Sequence, residues 1–454
     1  MMSQWEKILG GNAVRALSLI TACLAIAFAS HHFNLVIYMD DMKHFYDVSH
    51  TQVELMMALS ILGQFCGLPV GYYMKAVGPS KTMLTATVMC TGSCLLLFSS
   101  TYYVLFYHNN FWIIIIYQFL LGVACDMTII CSCSISVWNF CHRHTGKVSG
   151  LVIGVAGSGA LIFAFVYRRY FSGQNELRSL WLMQTIVYLV CNILATFFVR
   201  DYSHLVPECD LECAPLKESF DTDSEIGENL KSQDEGITGL ALTRSLNFHL
   251  FGWAFLIAGG INNLIRMNAV IILETFKHND LITPLIGSMP LLSVFFKILF
   301  GSLSDRLIHL LPRSFYVTLL IWYEVIIVYS SIGYGDNVFL TVNLIILSYV
   351  VDSVSLTNCL AVVSDLFGKK NLGVNIGVLY LGYGLVEIPV LLGFGLFWDR
   401  KTKTSECFGS NCFMGTFLMS GTALTAVGIL YTAFSYREWQ WWKSRRGEHF
   451  HLVN

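Results

Sequence analysis

Two aspartates stand inside long apolar runs, Asp126 in Gly122-Val-Ala-Cys-Asp126-Met-Thr128 and Asp352 in Val351-Asp352-Ser353-Val-Ser355. A carboxylate at the centre of a hydrocarbon-embedded helix costs at least ~2.5–3.5 kcal/mol on insertion scales, so each must pair, protonate or be hydrated. Both are therefore candidates for coupling a proton to another event. A third run, Gly259-Gly260-Ile-Asn262-Asn263-Leu-Ile-Arg266, sets a permanently charged guanidinium beside two amides. That combination can hold an anionic or polar solute. Ser30-His31-His32 and Asn34 add a polar patch inside another apolar stretch. Adjacent residues on a helix diverge by about 100°, so His31 and His32 cannot both face one site squarely.

The elements that carry these residues are long and greasy. Hydrophobic residues make up 55% of the 454 and charged residues 13%, too apolar a balance for a soluble chain of this size. The lipid bilayer is the expected solvent and partner. Runs long enough to cross it as helices centre roughly on 16–38, 54–74, 82–103, 112–138, 148–167 and 179–199, and then on 248–274, 283–304, 315–332, 338–362, 374–398 and 413–436. The fold class is thus an all-α membrane protein with 12 spans in two sets of six. The expected domains are an N-terminal six-helix bundle over 1–200, an acidic cytoplasmic linker over 201–243, a C-terminal bundle over 244–436 and a cytoplasmic tail over 437–454. The linker has eleven Asp/Glu against Lys217 and Lys231 and no apolar period of its own.

With both termini inside, inner segments hold 18 of the 28 Lys/Arg and outer ones 8, which favours that orientation. Which membrane is occupied, plasma or organellar, is left open. A net charge of −2 supplies no basic field for nucleic acid, so no such partner is expected. No P-loop, H-E-x-x-H or complete G-x-G-x-x-G occurs, so neither an enzyme nor a cofactor is expected. The 14 cysteines lie mostly in apolar runs without C-x-x-C pairs, and Cys141-His142-Arg143-His144 reads as a solvated basic turn, so no metal site is expected. Cys407 and Cys412 could form a local disulfide in an oxidising compartment.

Landmarks repeat between the halves. Gly71-Tyr-Tyr-Met-Lys75-Ala-Val-Gly78-Pro79-Ser-Lys81 follows the second span, and Gly301-Ser-Leu-Ser-Asp305-Arg306 follows the eighth. Phe140 precedes Gly146 and Gly150 at the offsets at which Phe367 precedes Gly373 and Gly377. Asp126 lies 14 residues before Phe140 and Asp352 lies 15 before Phe367, so the two aspartates are pseudo-equivalent to within one position. The 230-residue offset from Gly71 to Gly301 likewise sets His32 opposite Asn262. The halves read as parallel repeats.

At these turns the chain resembles the major facilitator superfamily, whose signature there is G-x-x-x-D-R-x-G-R-R-K/R. The resemblance implies two six-helix parallel pseudo-repeats working by alternating access, with the first, fourth, seventh and tenth helices lining the solute path. It also implies a gating role for Asp305 and Arg306, and a weakened first latch because Lys75 stands where the family has Asp. Phe33 to Gly78 and Phe367-Gly-Lys-Lys-Asn-Leu-Gly373-Val-Asn-Ile-Gly377 look most like the nodulin-like and monocarboxylate-transporter-like branch. The acidic-Gly-aromatic motif of true monocarboxylate transporters is missing, and Lys297 stands nearest their Arg on the eighth helix. Glycines at 150, 154, 157 and 159 and at 373, 377, 382 and 384 include G-x-x-x-G spacing that lets helices approach closely; the resemblance implies that these two helices meet.

The combined expectation is a secondary active or facilitative transporter for a small polar organic solute, a carboxylate or amino acid, working by proton symport where an aspartate titrates and as a facilitator where neither does. Arg266, Asn262, Asn263, His31 and His32 are its candidate binding residues and Asp352 and Asp126 its candidate proton carriers. Asp352 is preferred, since Ser353, Ser355 and Asn358 offer it a polar path. The alternative is a non-transporting membrane sensor on the same fold. Glu387 and Lys297 are expected to pair with each other structurally.

Overall fold

The computed structural model describes residues 10–29, 38, 41–171, 176–206, 237–238, 240–308, 310–335, 337–402 and 409–452. His31, His32, Asn34 and most of the acidic linker lie outside the described residues. Among those described there is no strand, and 12 helices are long and apolar enough to cross a membrane. They are α1 Gly11–Ala29, α2 Leu55–Val77, α3 Pro79–Ser100, α4 Phe111–Trp138, α5 Thr145–Tyr167 and α6 Leu177–Phe198, followed by α7 Leu246–Met267, α8 Ser288–Leu307, α9 Phe315–Tyr334, α10 Val338–Phe367, α11 Leu372–Trp398 and α12 Asn411–Gln440.

Helix ends follow local chemistry. Ser49 and Gln52 form a capping box at the start of the helix that becomes α2. Pro79 opens α3 directly after Gly78, whose φ of 86° suits a residue without Cβ. α7 ends at Asn268, where a separate helix Ala269–Thr275 begins, so the run expected to reach 274 is broken. The helix containing α12 continues through the expected tail to Leu452.

Contacts divide the chain into two units. The first contains 1–238 and 363–384, the second 239–362 and 385–454. In the first unit α1, α2, α3, α4 and α6 contribute to a core that includes Ala22, Ala25, Val70, Met74, Met83, Ala86, Met127, Ile130, Ile135 and Ala195. Close backbone contact supplements this core. A Cβ on Gly67 would lie 2.7 Å from the Gly377 carbonyl oxygen, and one on Gly71 would lie 2.5 Å from that of Gly373. Two G-x-x-x-G faces, on α2 and the start of α11, therefore meet each other. Gly373 and Gly377 of α11 thus face α2, and Gly159 of α5 lies against Ala27 and Phe28 of α1. A second glycine contact joins α2 to α4, where Gly63 meets the Phe119 backbone and Gly122 the Ser60 backbone. Lys369 fastens the start of α11 by donating to the Phe140 carbonyl at 2.7 Å and accepting from the Trp138 indole.

In the second unit α12 lies along α7 and α9. Phe394, Trp398, Phe413, Phe417 and Phe276 form a stack at one end. Cys412 is buried there in a disulfide, while Cys407, its expected partner, lies outside the described residues.

Candidate functional site

α7 sets two of its polar residues on one face. Asn263 and Arg266 are three apart, which brings side chains together on a helix, and the Arg266 Nη2 donates to Asn263 Oδ1 at 2.6 Å. The same asparagine turns its Nδ2 to the Glu387 carboxylate of α11. A Cβ on Gly260, one turn earlier, would lie only 3.1 Å from the Val386 side chain, so α7 and α11 run close together there. Arg266 Nη1 then donates to Asp352 Oδ2 on α10 at 2.6 Å, in an ion pair whose side chains are 11% and 3% exposed. A continuous chain results: Glu387, Asn263, Arg266, Asp352. The Tyr349 ring, one turn before Asp352, lies 5.4 Å from the guanidinium carbon.

Lys297 of α8 is buried, and its charge acts on both Asp352 and Arg266. The expected Lys297–Glu387 ion pair is not formed among the described residues; Glu387 instead accepts a hydrogen bond from Asn263. Ser293 of α8 and Ser353 of α10 join their hydroxyls at 2.7 Å. Ser355 and Asn358, further along α10, are buried.

Asn262 is fully buried on the adjoining face of α7. It lies beside Glu324 of α9, near enough for the amide and carboxylate to interact, yet no aligned hydrogen bond joins them. Glu324 escaped the sequence reading although its signal was present, a single charge in the apolar run from 315 to 334. Tyr349 carried no comparable signal.

Asp126 occupies a different setting in the first unit. It is completely buried on α4, and neither carboxyl oxygen has a hydrogen-bond partner among the described residues. The Cys66 thiol of α2 is within its electrostatic reach.

At the end of α8, Asp305 pairs with the buried Arg313 at 2.8 Å, both side chains 1% exposed. Arg313 also donates to Ser304, and the Glu438 carboxylate of the α12 helix accepts the backbone N–H groups of Arg313 and Ser314. Arg306 and Lys75 are exposed. Of the three expected gating residues, Asp305 alone enters this network, through an arginine and a glutamate that the motif did not point to.

Twelve apolar helices and buried ionic side chains define a multi-pass integral membrane protein of the solute-transporter kind. The family model for the major facilitator superfamily matches residues 17–390, and the chain belongs to that superfamily. Solved structures share its fold at low identity. A proton:xylose symporter aligns with a TM-score of 0.65 at 11% identity, covering 95% of this chain and 96% of its own. A bacterial homologue of the iron transporter ferroportin aligns at 0.67 and 10% identity, covering 93% and 99%. A human organic anion transporter aligns at 0.60 and 12% identity, covering 90% and 99%. None of the curated proteins matches by sequence.

Proposed function

We propose that this transporter carries a small organic carboxylate or amino acid by alternating access, with Arg266 as the clamp on the substrate carboxylate. One observation carries the reading: Arg266 already grips a carboxylate, that of Asp352, at 2.6 Å, with Asn263 steadying its other nitrogen. A substrate carboxylate can take the place of Asp352 in this grip. Asp352 is then left buried without its cation, and a proton from water can neutralise it. Binding of the anion and uptake of a proton are thereby coupled, which is symport. Asp126 is a second candidate proton position, and Asn262 a second polar contact. Asp305, with Arg306 and Lys75, is proposed to govern gating, supported by the buried anchorage of Asp305 to Arg313. The likeness of the Phe367 to Gly377 run to the nodulin-like and monocarboxylate-transporter-like branch favours a carboxylate among these solutes.

The test is uptake by the purified protein in proteoliposomes, screened over radiolabelled monocarboxylates and amino acids with an imposed pH gradient. Accumulation is expected for wild type, with Asp352→Asn losing pH-driven accumulation while retaining exchange at equal pH. Binding without flux across the whole panel would replace this reading with that of a membrane sensor.

A further inference from the structure

Counting charges around Arg266 leaves an imbalance that the proposed transport cycle does not use. Five ionisable side chains are involved: Arg266 and Lys297 on the cationic side, Asp352, Glu387 and Glu324 on the acidic side. Three carboxylates face two cations. A buried charge without a counter-ion is expensive, several kcal/mol even after relaxation, so one negative charge has to be neutralised. Asp352 has its ion pair with Arg266, and Glu387 has the Asn263 amide. Glu324 has neither. It is 0% exposed, and no hydrogen bond reaches either oxygen from the described residues.

The described residues around Glu324 supply no cation. From α7 it faces Asn262, a neutral amide whose own oxygen and nitrogen lack an aligned partner. From α10 the charge that reaches it is that of Asp352, which has the same sign. α12 packs along α9 and has no Asp, Glu, Lys, Arg or His between Asn411 and Ser435. α9 itself has no other charged residue.

We infer that Glu324 is a resident proton-binding site, whose Oε–H faces the Asn262 amide and whose charge state sets how strongly the Arg266 site attracts an anion. The proton comes from hydronium in the aqueous phase and returns there when Glu324 ionises; no bond other than O–H is made or broken. With the proton bound, the five groups sum to zero and Asn262 has an O–H donor to accept. With it lost, a second negative charge stands within reach of Asp352, the partner of Arg266, and the site repels an incoming carboxylate. This control rests on the reading of Arg266 as an anion clamp, but the proton site itself does not.

Infrared difference spectroscopy of the purified protein in lipid bilayers tests the site without any substrate. Titration from acid to alkaline pH should show a protonated-carboxyl band that disappears, with part of it lost in Glu324→Gln and retained in both Glu387→Gln and Asp126→Asn. Glu324→Asp should keep that component at a shifted frequency, which guards against a variant that is silent because it has misfolded. A spectrum of Glu324→Gln equal to wild type would overturn the inference, and so would a component that vanishes on replacing choline with sodium at constant pH, since the occupant would then be a metal cation. If the component is lost in Glu324→Gln while no solute is transported, the proton site stands and the transport reading falls.

Discussion

Asp126 and Asp352 occupy matching places in the two repeats and have opposite surroundings. Asp352 is bound to Arg266 at 2.6 Å within a chain of polar side chains from three helices. Asp126 is equally buried, and no side chain among those described bonds to it. The contrast extends to the turns that follow the second and eighth spans. The offset of 230 residues that aligns Gly71 with Gly301 aligns Lys75 with Asp305 and Met83 with Arg313. One turn therefore has an exposed lysine and a buried methionine where the other has a buried ion pair. The first unit brings α2 against α4 and α11 through glycines, the second joins its helices through charges. Repetition preserved the backbone plan, and side-chain chemistry diverged on it.

The comparison breaks most sharply at Arg266. Arg266→Ala takes the ion pair away from the buried Asp352 and should cost about 3–5 kcal/mol of stability, as well as reduce uptake more than tenfold. Thermal unfolding in lipid nanodiscs measures the first and proteoliposome flux the second. Adding Asp352→Asn should restore much of the stability and none of the uptake. A double variant as unstable as the single one would show that the pair is not what the arginine contributes.

Arg313→Met imports the residue of the first repeat into the second. It breaks the buried Asp305 ion pair and removes the donor to Ser304, with an expected loss of about 3 kcal/mol. The companion change Asp305→Leu should recover most of it, because a buried pair replaced as a whole by apolar groups is close to neutral. Unfolding midpoints of the two variants check this directly.

Gly377→Ala probes the first unit's own device. The new Cβ would meet the Gly67 backbone, which cannot move aside as a side chain tip would, so a cost of about 1–3 kcal/mol is expected from overpacking. Stability equal to wild type would mean that α2 and α11 separate without penalty.

The smallest effect is expected at Asp126. Replacing this unpartnered acid with the isosteric amide in Asp126→Asn removes no bond and should change stability by less than about 1 kcal/mol. Its effect on the pH dependence of uptake separates a second proton carrier from a carboxyl with no part in transport. A large destabilisation would reveal a partner for Asp126 and erase the contrast with Asp352.

Apolar run length alone determined the membrane, the 12 spans and their division into six and six, because a helix must stay apolar for about 20 residues to cross hydrocarbon. Residue identity within those runs singled out Asp126, Asp352, Asn262, Asn263 and Arg266, since charges and amides are costly there. Partner choice was decided by the tertiary structure. Spacing along one helix brings Asn263 to Arg266, but nothing in a linear chain says that Glu387 meets Asn263 and not Lys297, or that Asp305 reaches Arg313 and not Arg306. Those contacts depend on how helices distant in sequence rotate and tilt against one another, and rotation of one helix by a single residue turns a side chain by about 100°. For the same reason Glu324, plain in the sequence as one acid in an apolar span, acquires a meaning when the fold sets it beside Asn262 and within reach of Asp352.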